Sequence, residues 1–131
     1  MKIKLCPADI VFSQYIRLRD KRCVRCGKPV KFNAEGLPIS HEASHYFGRG
    51  NESTRFDPEN VDTLCKLSCH EIWSSKDREE YRKFKIKQLG EIEFNALILR
   101  SHLTQKKDRE MALIVARVWL REELKKAGIV G

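Results

Sequence analysis

The sequence predicts an α+β fold in which a small metal-stapled core is wrapped by N- and C-terminal helices. Three observations predict it. Four cysteines fall in two pairs, Cys23/Cys26 and Cys65/Cys69, within R-C-V-R-C-G-K and L-C-K-L-S-C-H. The stretch between the pairs is broken by Asn33, Gly36, Pro38, Gly48 and Gly50, so it reads as short strands and turns rather than helix. The segments before and after it carry apolar residues at helical spacing.

Taken in order, Pro7 suits a first helical turn, and Ile10, Val11, Gln14, Tyr15 and Leu18 fall on one face. The spacing predicts a helix over about residues 7 to 20. Residues 21 to 31 then form the first metal turn, a C-x2-C closed by Gly27 that brings two thiolates to one tetrahedral ion. Ser40 to Phe47 reads as the first strand of a hairpin, with Glu42 and Ser44 on one face and His41, Ala43 and His45 on the other. The polar loop N-E-S-T-R-F-D-P-E-N leads to Val61–Leu64 and the second pair, a C-x3-C that suits a helix start. Ser74 with Asp77 reads as a capping box ahead of a helix ending at Gly90, with Tyr81, Phe84, Ile86 and Leu89 facing a core. Further helices follow over about 91 to 103 and 108 to 126, the last ending in Lys125 and Lys126. The reading is one domain over residues 1 to 131, its metal-bound core at about 21 to 75 and its helical wrap at 7 to 20 and 76 to 127.

Composition narrows the function. The chain has 131 residues, 41% hydrophobic and 34% charged, which is ordinary for a soluble domain small enough to gain from a structural metal. It has no apolar run long enough for a membrane span, and M-K-I-K-L-C-P-A-D lacks the apolar stretch of a signal peptide. The expectation is therefore a cytoplasmic protein with no membrane partner. Thiols stay reduced there, so the two pairs read as a structural Zn²⁺ site rather than disulfides. Cys6, beside Pro7, is left as a small hydrophobe. The net charge of +8 and pI near 9.4 point to a polyanion bound through phosphates, salt-sensitive and indifferent to sequence.

Between and beside the cysteines, His45, Asn60 and His70 spell H-N-H. With F-S-Q-Y-I-R-L-R-D ahead of C-V-R-C-G, then A-S-H-Y-F, T-R-F-D-P-E-N-V and D-R-E-E-Y-R-K-F-K-I-K-Q-L-G, the chain resembles the HNH nucleases of the ββα-metal fold. It is most similar to the phage recombination nucleases of the NinG (Rap) type, over about residues 10 to 102. The resemblance implies a β-hairpin carrying His45 as general base, a loop carrying Asn60, and a short helix carrying His70 as ligand of a catalytic Mg²⁺ or Mn²⁺. Two positions depart from the pattern: Ser44 stands where many HNH proteins have Asp, and Cys69-His70 where NinG-type proteins often have Cys-Asn.

The residue chemistry suits these posts. A histidine of ordinary pKa is neutral and basic near pH 7 to 8, which predicts rates rising from pH 6 to 8. Asn60 cannot ionise and can orient the imidazole or the hairpin backbone. Glu42 is the preferred second ligand for the divalent ion, because such cations favour oxygen, while Asp57, Asp62 and His41 remain open. Arg49 and Arg55 flank the loop and can clamp phosphate; for Arg55 an ion pair with Glu52, Asp57 or Glu59 is an equal reading. The basic residues of the helix at 78 to 87, Lys85 among them, read as a solvated face. His102 is given no role. The implied function is a metal-dependent endonuclease nicking duplex or branched DNA, with a homodimer able to cut both strands. The alternative is a noncatalytic zinc-ribbon module that binds DNA.

Overall fold

A computed structural model of the chain describes residues 3–129. Helix α1 (Pro7–Asp20) starts where Pro7 fixes φ and Asp9 turns back to accept the Cys6 amide at 2.8 Å. It ends on Lys21 in a left-handed conformation. The next twenty residues hold only isolated bridges, Arg22 with Pro29 and Phe32 with Pro38. Strand β1 (Glu42–His45) then pairs antiparallel with β2 (Val61–Leu64), with Glu42 opposite Leu64 and His45 opposite Val61. Two single 3-10 turns, Glu52–Thr54 and Pro58–Asn60, shape the loop between them.

After the hairpin come a short helix α2 (Cys69–Glu71), a wider π-type turn over Ile72–Lys76, and helices α3 (Arg78–Leu89), α4 (Glu91–Ser101) and α5 (Arg109–Lys126). The cap of α3 is Asp77, which accepts the Glu80 amide at 2.9 Å; Ser74, expected to share a capping box, lies inside the π-type turn instead. Asp108 caps α5 in the same way, accepting the amides of Glu110 and Met111.

The hairpin separates two apolar clusters, and strand alternation decides which side chain enters which. On one face Ala43 and Val61 join Phe12 and Ile16 of α1 and Ala116 of α5, and the Thr63 hydroxyl donates to the Ile16 carbonyl. On the other face Leu64 joins Cys23, Cys65 and Cys69 with Trp73, Tyr81 and Phe94. A buried polar node ties α3 to this second face. Lys85, fully buried rather than part of a solvated face, donates to Asp62 at 2.9 Å, and Tyr81 and Gln88 donate to the same carboxylate. Among the described residues, no helix is long and apolar enough to cross a membrane.

Candidate metal centre

The first cysteine pair is shaped by a tight turn. The Gly27 amide donates to the Cys23 carbonyl at 2.9 Å, and Gly27 adopts φ +83, which a side chain would strain. The Val24 amide then docks the turn on β2 through the Thr63 carbonyl. The second pair spans the end of β2 and the start of α2, where the His70 amide donates to the Cys65 carbonyl at 3.1 Å. As a result the four sulfurs of Cys23, Cys26, Cys65 and Cys69 lie within 4.8 Å of one another, with Cys26 and Cys65 at 3.3 Å.

That spacing fits zinc. Four thiolates about 2.3 Å from a tetrahedral Zn²⁺ stand about 3.8 Å apart. A cation is what would let all four thiols ionise together. Burial pushes the Cys65 thiol up to about 12 and raises Cys69, while the Lys28 amide and neighbouring thiols bring Cys26 down to about 7. Four thiolates cannot share this space without a cation to offset them. Arg25 adds a partial counter-charge, its Nη1 donating to Cys69 Sγ at 3.5 Å and its Nε to Glu80, which also accepts the Trp73 indole.

His41 supports this frame from outside. Its Nε2 donates to the Lys28 carbonyl at 2.9 Å and lies 4.0 Å from Cys65 Sγ, while Nδ1 accepts the Ser40 hydroxyl. It holds the turn between the pairs.

His70 directly follows the last cysteine of this cluster. Its Nδ1 lies 3.0 Å from Glu42 Oε1, across the gap between α2 and β1. Both side chains are part-exposed, and with Leu67, Glu71 and Ser74 they line a recess of about 280 Å³. The imidazole nitrogen and carboxylate oxygen thus form a hydrogen-bonded pair lining an open recess.

His45 is placed elsewhere. It shares the α1 face of the hairpin with Ala43, so its ring lies 6.4 Å from the Phe12 ring, on the face opposite Glu42. Its Nε2 donates to the Arg55 carbonyl at 2.9 Å, which leaves the lone pair on Nδ1. Asn60 is fully buried and touches backbone only. Its Oδ1 accepts the Phe47 amide, and its Nδ2 donates to the carbonyls of Phe47 and Thr54. It therefore sets the loop whose next carbonyl, that of Arg55, orients His45.

Of the two arginines, Arg55 takes the ion-pair reading. It is 4% exposed, and its guanidinium binds the buried Asp9 carboxylate through Nε at 2.9 Å and through Nη2, with Glu52 beside it. Arg49 is 31% exposed in its side chain, while its Nε is buried 3.9 Å from Asp9 with no hydrogen-bond partner among the described residues. Of the open acidic candidates, Asp62 is consumed by Lys85, Tyr81 and Gln88, and Asp57 pairs with Arg100.

Sequence reasoning missed the Lys85–Asp62 pair. Its one sequence signal is that Lys85 stands four residues after Tyr81, on the same face of α3.

A model of the family described as Bacteriophage Lambda NinG protein matches residues 7–127. No curated protein and no solved structure matches the chain.

Proposed function

This chain belongs to the family of the bacteriophage lambda NinG protein, and from that premise we propose that it is a metal-dependent DNA endonuclease of the HNH type acting in phage recombination. The observation that carries the reading is the Glu42–His70 pair, 3.0 Å apart at the floor of an open recess and placed directly after a zinc-site cysteine. Glu42 and His70 would hold the divalent ion. Its chemistry there is to offset charge building on the phosphoryl and leaving oxygens.

The family resemblance would make His45 Nδ1 the acceptor of the attacking water's proton, but His45 stands on the face of β1 opposite the Glu42–His70 recess. Water adds to phosphorus and the P–O3′ bond breaks, leaving a 5′-phosphate and, after protonation of the leaving oxygen, a 3′-hydroxyl. One site cuts one strand, so a single chain nicks duplex or branched DNA.

The test is supercoiled plasmid incubated with Mg²⁺, Mn²⁺ or chelator. Wild type is expected to nick only with added ion, and Glu42→Ala and His70→Ala to need several-fold more ion for half-maximal rate. Wild type that never nicks with any divalent ion overturns the reading.

The placement of His45 on the far face of β1 favours a second assignment within the same reading. Here the histidine only ties β1 to the Arg55 carbonyl. The two assignments separate cleanly: as a base, His45→Ala costs about 10²-fold or more in rate at unchanged DNA affinity and zinc content. As a tie, it lowers thermal stability but leaves the rate per folded molecule intact.

A further inference from the structure

Leu67 sits at the apex of the turn between Cys65 and Cys69, 78% exposed and with φ +68. That backbone conformation is one in which a non-glycine residue is strained and glycine is not. At the left-handed position directly after the first pair, Gly27, the chain does use glycine. At the second pair it instead carries a large apolar side chain that packs against no core.

The surroundings of that side chain are asymmetric. On one side of the turn lies the Glu42–His70 recess, whose rim includes Leu67 itself. On the other a cleft of about 460 Å³ runs over the cysteines, lined by Lys28, Lys31 and Lys66. Both ends of the turn are zinc-site cysteines, so its apex is held rigidly. The two linings alternate along this turn, with Lys66, Ser68 and Cys69 in the cleft and Leu67 and His70 in the recess, so the basic cleft and the recess adjoin at Leu67.

We propose that Leu67 is an apolar wedge that enters DNA at the base step beside the phosphate bound in the Glu42–His70 recess, unstacking that step. Proteins that kink or open DNA insert leucine and similar side chains between base steps in this way, and the cost is lowest where stacking is already weak. The wedge therefore favours a mismatched step over a fully paired one. The inference rests on the DNA-binding part of the function proposed above, not on cleavage.

The experiment uses duplexes with 2-aminopurine beside a central mismatch, or fully paired, in buffer with Ca²⁺ in place of Mg²⁺ or Mn²⁺, and denaturing gels check that the strands stay intact. Wild type is expected to brighten the mismatched reporter about threefold or more on binding. Leu67→Gly and Leu67→Asn, both at ease in a left-handed conformation, should abolish most of that rise and weaken binding to the mismatched duplex about fivefold or more. Leu67→Met should preserve both. Zinc content of the glycine and asparagine variants should match wild type, with thermal stability equal or higher because backbone strain is relieved.

Saturated wild type that leaves the reporter quenched, or a glycine variant that brightens it equally, overturns the wedge. So does loss of zinc or of stability in those variants, which would make Leu67 structural. Wild type that unstacks the reporter but never nicks plasmid leaves the wedge standing and removes the nuclease reading.

Discussion

Burial pushes the His45 imidazole down to about 4, and the nearby Arg49 charge adds to the shift while the Arg55 carbonyl opposes it. The ring is thus already neutral where an ordinary histidine changes charge, so a rise in rate from pH 6 to 8, expected from an unperturbed imidazole, is no signature of His45. Its mark falls on stability instead. The unfolded chain protonates this side chain near pH 6.5 and the folded chain near 4, so between those values the unfolded state binds more protons. Stability from this residue is therefore complete above about pH 6.5 and is lost as pH falls toward 4. Thermal melts from pH 7.5 to 4.5 should show wild type losing stability more steeply than His45→Gln, whose amide can still donate to the Arg55 carbonyl. Parallel curves would refute the assigned environment of His45.

At the scale of elements, the two cysteine turns matter most, because each joins pieces with few other ties. The first turn meets β2 through one backbone hydrogen bond, and the second leads straight into a helix of only three residues. Helices that short have no stability of their own, and an ion in the cysteine cluster would hold this one in place. About one Zn²⁺ per chain is expected to copurify, and Cys23→Ser or Cys65→Ser should lose the metal and unfold or aggregate, since structural zinc contributes folding free energy directly. Elemental analysis of a folded, zinc-free wild-type sample would sink this. The Glu42–His70 pair depends on the same staple, because α2 sets where His70 stands.

Over the whole molecule, a net charge of +8 meets a hairpin clamped between α1 with α5 on one face and α3 with α4 on the other. Several of the cations are internal: Arg55 and Lys85 are buried against Asp9 and Asp62, and Arg109 is paired with Glu52. In the proposed function the DNA would meet exposed cations, three of which, Lys28, Lys31 and Lys66, line one cleft. With about four to six phosphate contacts, affinity should fall about 10²- to 10³-fold between 50 and 200 mM salt, with little sequence preference. Titrations by fluorescence anisotropy at several salt concentrations measure this, and replacing Lys28, Lys31 and Lys66 together should flatten the slope by about three contacts. A slope left unchanged would place the DNA on another face.

Much of this was legible in the chain because the signals are local. Helix α1 runs over the residues its periodicity and Pro7 predicted, and α4 and α5 begin and end within two residues of their expected bounds. The cysteine cluster followed from spacing, since the geometry of a C-x2-C turn is set by a few bonds and one glycine. What the sequence could not determine is how charges divide between solvent and interior. Only its place four residues after Tyr81 sets Lys85 apart from Lys83, and nothing local tells Arg55 from Arg49; the burial of Lys85 and Arg55 is decided by carboxylates distant in the chain, Asp62 and Asp9. Strand alternation did foretell that Glu42 and His45 point apart. Only the packing of α1 on one face and α2 on the other showed that this separates His45 from His70, because the partner of each strand face is chosen by long-range burial and not by the strand itself.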